Sequence, residues 1–226
     1  MNIARKNSGV SLIELVVVVA IIGLLSIVAV PQYGRFIAKG KVRTATNDLL
    51  QNMRQARTMA IKENRQYLIT FNEAGDPANT YRIGFDGNGN NSLIDPGDGY
   101  GGGAVRLVNL QTQYGNEILF GTATASGPDQ PDLCPACIGI GGATVAFGAT
   151  AAPVRQAFNT DGSVSFIGST FIMHNARGIT YMMRISFQTG KIDLWKWDGD
   201  NANPVPPIVN NCANTPVRYC GWTELR

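Results

Sequence analysis

The segment that most constrains this chain is an apolar run over residues 10–30, VSLIELVVVVAIIGLLSIVAV, which contains a single charge, Glu14. An α-helix rises about 1.5 Å per residue, so the run spans roughly 30 Å, the thickness of the hydrocarbon core of a bilayer. We therefore predict a membrane-spanning helix over residues 10–30. The run is long for a secretory signal peptide, and no small-residue cleavage site of the A-x-A kind follows it.

The carboxylate of Glu14 is the feature that a simple membrane anchor does not explain. An ionised carboxylate inside a bilayer is costly, so it usually has a partner. Glu14 stands five residues after Gly9, which closes a short segment, residues 1–9, that carries Arg5 and Lys6 and no acid. The sequence G-V-S-L-I-E-L around these positions resembles the class III signal of type IV prepilins.

This resemblance implies a processing site and an assembly contact. Residues 1–9 would be the leader, and a prepilin peptidase would cut between Gly9 and Val10 and methylate the amine of Val10. Glu14 would then pair with the N-terminal amine of a neighbouring subunit. One buried charge of each sign on staggered subunits is neutralised only in the right register. Val10 stands where the family usually has phenylalanine.

Pro31 follows the apolar run directly and supports the same resemblance. It lies 22 residues after Gly9, where pilins carry a proline. Inside a helix, proline removes a backbone donor and kinks or breaks the helix. We assign Pro31, with Glu14, to the assembly helix.

The charges that flank the run do not agree with the usual orientation rule. Four basic residues follow it within a short stretch: Arg35, Lys39, Lys41 and Arg43. Only two precede it, and the side richer in Lys and Arg normally stays in the cytoplasm. The resemblance implies the reverse orientation, a single pass through the bacterial inner membrane with the head in the periplasm and later on a periplasmic or extracellular filament.

Residues 31–64 have the pattern of an amphipathic helix that continues into the head. Apolar residues recur every three or four positions: Val42, Ala45, Leu49, Met53, Ala56 and Ala60. We expect this face to lie on a sheet. The basic residues of the other faces are either solvated or a filament contact.

Residues 65–226 read as a β-rich globular head. Short β-prone segments are expected to form strands: 66–71, 80–85, 143–147, 164–167, 179–187 and 191–197. Asp161-Gly162 and Thr189-Gly190 have the composition of tight turns, and residues 121–142 read as irregular. The predicted fold class is α+β, a pilin fold in which one long helix packs on antiparallel sheet.

A second resemblance comes from the C-terminal half. Phe158-Asn-Thr-Asp-Gly162, followed by strands and then Gly190-Lys-Ile, is similar to the cadence of the GspH/FimT group of pseudopilins and minor pilins. It implies a structural subunit of a type IV pilus or a type II secretion pseudopilus, and not an enzyme. The implied partners are other pilin or pseudopilin subunits, the prepilin peptidase and the inner membrane.

One loop in the head is rich in oxygen donors. Its candidate calcium ligands are Asp86, Asn88, Asn90, Asp95 and Asp98. Alternating Asp and Asn resemble a calcium loop, but Gly97 stands where an EF-hand would place its bidentate glutamate. The same residues are those that a hairpin turn requires. Both interpretations stay open, and no other cofactor is expected.

The chain has four cysteines: Cys134, Cys137, Cys212 and Cys220. An even number behind an export-type N-terminus is typical of disulfides in an oxidising compartment. Four cysteines allow three connectivities, and we favour Cys134–Cys137 with Cys212–Cys220 because each pair is local in sequence. The C-x-x-C spacing also suits zinc or thiol exchange, but the βαβ context of a thioredoxin is missing from the predicted elements.

Catalytic and nucleic-acid-binding signals are weak. His174 is the single histidine, so the usual serine or cysteine triads would all depend on it, and we expect it to be a strand or turn residue. The formal net charge is +3, too small for bulk attraction of nucleic acid. An alternative is a DNA-binding minor pilin in natural transformation, with Lys196, Arg218 and Arg226 near tail tryptophans.

Overall fold

The computed structural model describes residues 11–121, 145–147, 154–177, 179–185, 188–197 and 222–225. The chain forms two compact units, Met1–Ile37 and Ala38–Arg226.

The first element, α1, is a helix over Leu12–Glu63 that covers both helical segments predicted from the sequence. Its large apolar side chains between Leu12 and Ile27 are exposed in the isolated chain. Within the described residues, no single helix has the length and hydropathy of a membrane span, whereas two helical stretches, Leu12–Ile27 and Gln32–Glu63, meet that test together as a bent pair.

The C-terminal part of α1 belongs to the head and buries the apolar face that the sequence predicted. The predicted positions from Val42 to Ala60 are all fully buried. Ala38, one turn earlier, extends the same face with 2% exposure. The helix ends at Glu63, and Asn64 takes a positive φ of 52°, a left-handed conformation that asparagine tolerates better than most residues.

In the part of the head that the structure describes, the strands form two antiparallel sheets. Their strands are β1 (Tyr67–Phe71), β2 (Thr80–Gly84), β3 (Arg106–Asn109), β4 (Ile118–Phe120), β5 (Val145–Phe147), β6 (Val154–Phe158), β7 (Gly168–His174), β8 (Thr180–Ile185), β9 (Ile192–Trp197) and β10 (Trp222–Leu225). A short helix, α2 (Leu110–Tyr114), separates β3 from β4. The first sheet has the order β3-β2-β1-β6, and the second has the order β10-β9-β8-β7-β4, with β5 also paired to β7.

The strand predictions are confirmed for β1, β2, β5, β8 and β9, with ends shifted by a few residues. The prediction of a strand over residues 164–167 is wrong. Val164 forms only an isolated bridge with Phe158, because the chain there folds back over the end of β6. The strands β3, β4, β6, β7 and β10 and the helix α2 were not predicted from the sequence.

One hydrophobic core joins α1 to both sheets. The buried face of the helix packs with alternate residues of the strands, among them Tyr67, Ile69 and Phe71 of β1 and Met183 of β8. A smaller cluster lies on the opposite face of the first sheet, where Leu68, Leu93 and Ala157 pack together. Leu93 is 1% exposed although it belongs to the polar loop after β2, so this loop covers the outer face of the sheet.

Two hairpin turns meet at one arginine of α1. Nε of Arg57 donates a 2.7 Å hydrogen bond to the carbonyl of Gly162. Gly162 and Gly190 have positive φ values of 80° and 74°, which favour glycine, so both predicted turns are confirmed. A Cβ on Gly190 would lie 3.3 Å from both Cζ of Arg57 and the carbonyl oxygen of Gly162, which shows how closely the two turns approach.

Candidate functional site

Glu14 lies in the first turn of α1, and Ser11 caps that turn. The backbone N–H of Glu14 contacts two oxygens of Ser11, the carbonyl at 3.1 Å and the hydroxyl at 3.3 Å. In an S-x-x-E capping box, the Ser side chain accepts from the backbone N–H of the Glu, as Ser11 and Glu14 do here. This pattern is present in the sequence but was not predicted from it. The positive end of the helix dipole favours a carboxylate at this position.

The processing residues Gly9 and Val10 lie outside the described residues, so cleavage and methylation there stay predictions. The side chain of Glu14 is exposed in the isolated chain, where it is available to a partner. The helix α1 runs through position 31, the place of Pro31.

Asp86 organises the first half of the oxygen-rich loop of the head. Its Oδ1 accepts from the backbone N–H groups of Asn88 at 3.0 Å and Gly89 at 2.6 Å, and its Oδ2 accepts from Asn91 at 2.5 Å. Oδ1 of Asn88 accepts in turn from the N–H of Asn90 at 3.0 Å. The alternating Asp and Asn residues therefore fold into one compact turn, which both the calcium-loop and the hairpin-turn interpretations predict.

Asp98 closes the same loop. Its Oδ1 accepts from the N–H of Gly87 at 2.9 Å, and its Oδ2 accepts from the N–H of Asp95 at 2.8 Å. A Cβ on Gly87 would lie 2.3 Å from the carbonyl oxygen of Gly97, so the two ends of the loop approach at a distance that requires glycine. The structure thus brings the ends of the candidate calcium loop together.

Two of the candidate ligands bond to each other within the loop. Nδ2 of Asn90 donates to Oδ2 of Asp95 at 2.6 Å, so the amide nitrogen faces that carboxylate. Among the residues that the structure describes, no three His, Cys, Asp or Glu side chains form a cluster that could hold a metal. A calcium ion here would need amide and backbone oxygens beside the carboxylates, so calcium binding stays a prediction.

A buried carboxylate that the sequence analysis missed fixes this loop to the first sheet. Oε1 of Glu73 accepts from Ser92 Oγ at 2.6 Å and from the N–H of Leu93 at 2.8 Å. Its Oε2 accepts from Thr70 Oγ1 at 2.7 Å and lies 3.8 Å from Nε of Arg82. Glu73 is 4% exposed, and its only sequence signal is an acid between β-prone segments.

His174 ends β7 and is buried, so the prediction of a strand or turn residue is confirmed. Its Nε2 lies 2.7 Å from Oε2 of Glu117, while Nδ1 has no partner among the described residues. Burial lowers the pKa of His174 below its ordinary value, Glu117 opposes this change, and Arg177 and Lys41 reinforce it. Glu117 is 58% exposed, so water screens its opposing effect.

Of the other predicted site residues, the structure describes only some. The four cysteines and two of the candidate DNA-binding residues, Arg218 and Arg226, lie outside the described residues, so the disulfides stay predictions. Lys196 is half-buried on β9, where it stands opposite Tyr181 of β8 and Thr223 of β10. β9 and β10 pair Trp197 with Trp222 and Lys196 with Thr223, while Arg218 and Arg226 lie outside the described residues, so DNA binding stays a prediction.

Comparison with known proteins finds a family pattern in the N-terminal segment and two relatives that match about half of the chain. The family pattern described as the prokaryotic N-terminal methylation motif matches residues 4–30. Two proteins from Pseudomonas aeruginosa, each described as a fimbrial protein, are 32% identical over 129 residues. The matched region covers 54% of this chain and 80% of each relative. No solved structure matches this chain.

Proposed function

Since this chain belongs to the type IV pilin-like family, we propose that it is a minor pilin or pseudopilin, a structural subunit that a prepilin peptidase processes and that assembles through its N-terminal helix. The observation that carries the proposal is the methylation motif over residues 4–30, which contains Gly9, Val10 and Glu14. The family is structural, and we propose no enzymatic activity for this member.

The position of Glu14 supports a role in assembly. A carboxylate in the first turn of an apolar helix is costly in a bilayer unless a cation neutralises it. Cleavage after Gly9 would create such a cation, the amine of Val10, next to the Ser11 cap. In a staggered filament, the amine of one subunit would meet the Glu14 of another, and this pairing would select one register.

The exposed apolar surface of α1 supports the same conclusion. Between Leu12 and Ile27 the large apolar side chains are 48–83% exposed in the isolated chain. Apolar surface of this extent needs either lipid or other subunits to cover it. We propose that the inner membrane covers it before assembly and that the helices of neighbouring subunits cover it in the filament.

The minor role, as opposed to that of the main shaft subunit, rests on the GspH/FimT-like cadence from Phe158 to Gly190 and on the large head. The subunits of a type IV pilus and of a type II secretion pseudopilus both have such a processed N-terminal helix. The pilus is favoured here, because the matching relatives are described as fimbrial proteins.

The first test is the intact mass of the protein from cells with and without the prepilin peptidase. We expect the loss of residues 1–9 and the gain of one methyl group only in cells that have the enzyme. The same chain measured without reductant should also be lighter by the hydrogens lost on disulfide formation. An unprocessed chain in both strains would overturn the proposal.

The second test separates assembly from folding. Glu14→Ala should abolish incorporation into filaments while leaving the thermal unfolding of the head unchanged. Ser26→Ala, a polar change in the same apolar stretch, is the matched control and should incorporate normally. Normal incorporation of Glu14→Ala would rule out a pairing role for this carboxylate.

A further inference from the structure

One end of the head carries a group of basic side chains that the proposed assembly does not use. We name this group the basic end, and its members are Lys39, Lys41, Arg43 and Arg177. The first three lie on α1, and Arg177 follows β7. All four are exposed, and no salt bridge holds any of them within the described residues.

Contacts between two turns place Lys41 and Arg177 at the same end of the head. Nζ of Lys41 lies beside Gly115, where an added Cβ would be 3.1 Å from it. The carbonyl of Glu117, two residues later, accepts a 2.8 Å hydrogen bond from the N–H of Asn175, and the N–H of Arg177 donates to the carbonyl of His174. The turn that contacts Lys41 is thus bonded to the turn that carries Arg177.

Two carboxylates at this end of the head, those of Glu117 and Asp48, are engaged by other groups. Glu117 contacts Nε2 of His174 at 2.7 Å, and Asp48 accepts a 2.6 Å hydrogen bond from the hydroxyl of Tyr114. These contacts direct both carboxylates toward groups of the head, which leaves the basic end with an excess of positive charge. A surface of this kind attracts anions.

The position of the basic end along the chain, shortly after the apolar run, favours lipid headgroups as the anion. Lys39 and Lys41 follow Val30, the last residue of the apolar run, by nine and eleven residues, roughly 14 and 17 Å of helix. The polar headgroup layer extends about 5 to 7 Å beyond the hydrocarbon core. No more than about 14 Å of helix therefore separates Lys39 from the end of the apolar run, comparable with the headgroup layer plus one Debye length at physiological ionic strength.

We propose that the basic end binds the headgroups of anionic phospholipids on the membrane that holds the unassembled subunit. This inference rests on the proposed function, which places the apolar run in a bilayer. It also accounts for the charge pattern that conflicts with the orientation rule. Anionic headgroups on the outer side would neutralise the basic residues that follow the span.

The test uses the full chain in neutral detergent micelles and short-chain lipids with identical tails. Phosphatidylglycerol is the anionic probe and phosphatidylcholine the neutral one, and native mass spectrometry measures the lipid that each retains. Because a basic residue near an anionic surface contributes about 1 kcal/mol, each of them should contribute a roughly fivefold preference for phosphatidylglycerol. The preference should fall as salt is raised.

Two triple variants make the test specific. Lys39→Gln/Lys41→Gln/Arg177→Gln should lose the preference for phosphatidylglycerol. Arg54→Gln/Lys62→Gln/Arg106→Gln removes the same number of charges from exposed positions elsewhere on the head and should keep it. Thermal unfolding of both variants verifies that the head is folded.

The outcomes separate this inference from the proposed function. Equal retention of the two lipids, an equal loss in both triple variants, or a preference for a DNA oligonucleotide over phosphatidylglycerol would overturn the lipid inference. A chain that is still cleaved after Gly9 would leave the filament proposal intact in each of those cases. A chain that is not cleaved but prefers phosphatidylglycerol would support the lipid inference and overturn the filament proposal.

Discussion

The amide of Asn52 on α1 donates a 2.7 Å hydrogen bond to the hydroxyl of Tyr81 on β2, inside the interface between the helix and the first sheet. Both side chains are buried, and burial raises the pKa of Tyr81 to about 12. Two further tyrosines bond to the helix as donors, Tyr67 to the carboxylate of Glu63 at 2.8 Å and Tyr114 to that of Asp48 at 2.6 Å. These three tyrosine contacts, together with the bond from Arg57 to Gly162, fix the helix to the head in addition to its apolar face.

Tyr81→Phe should lower the free energy of unfolding by about 1–3 kcal/mol, because it leaves a buried amide donor of Asn52 without its acceptor. Thermal unfolding of the full chain in detergent, followed by circular dichroism, measures the change. The double variant Asn52→Leu/Tyr81→Phe removes both partners and should recover part of the loss. A double variant less stable than Tyr81→Phe would show that the bond is not the cause.

Glu73→Ala should lower the free energy of unfolding by about 2–4 kcal/mol, because the N–H of Leu93 and two hydroxyls lose a buried acceptor. Arg82 keeps its two bonds to Asp76, at 2.6 and 2.7 Å, so it is not left unpaired. Limited proteolysis should show faster cleavage within the loop over residues 86–98. Glu117→Ala, at a largely exposed carboxylate, should leave that cleavage unchanged, and the same acceleration in both variants would contradict a specific anchor.

We predict that the Asp86 loop binds calcium. Millimolar calcium should then raise the melting temperature of the protein. Extracellular calcium modules bind with Kd of roughly 10⁻⁴–10⁻³ M, and a tenfold excess over Kd stabilises by about 1.4 kcal/mol. Asp86→Ala should abolish the effect, whereas Asp161→Ala, an aspartate in another turn, should keep it. No increase for the unchanged chain would leave the loop as a hairpin closed by its own hydrogen bonds.

Stability should decrease as the pH falls below about 6.5. The pKa of His174 is lowered in the folded state, so the unfolded chain binds more protons in this window. The stability that neutral His174 contributes is fully present above its pKa in the unfolded chain. It is lost as the pH falls through its lower pKa in the folded state. His174 is the single histidine, so His174→Gln should flatten the melting temperature between pH 7.5 and 5.5. An unchanged slope in that variant would assign the effect to other groups.

The features that the sequence predicted are those with a local period or a local composition. The apolar face from Val42 to Ala60 repeats every three to four residues, and its burial in the head is as expected. The turns at Gly162 and Gly190 were predicted because glycine is favoured at a positive φ. In each case the relevant interaction lies within a few residues along the chain.

The features that the sequence did not predict depend on contacts between distant residues. β7 contains the polar residues Ser169 and Thr170, which are fully buried, so it lacks the alternation of a half-exposed strand. Glu73 acquires its role from Leu93, which lies 20 positions away and is buried by Leu68 and Ala157. No window of a few residues contains that information.

The meeting of two turns at Arg57 has a consequence for comparing relatives. The carbonyl of Gly162 accepts from Arg57, and Gly190 leaves the guanidinium enough room. A Cβ at either glycine would lie 3.3 Å from the guanidinium group of Arg57, which would have to shift, so these three positions should covary among homologues. The glycines at positions 162 and 190 would then be retained because the side chain at position 57 occupies the space beside them. An alignment of relatives should show a shorter residue at position 57 wherever either glycine is replaced.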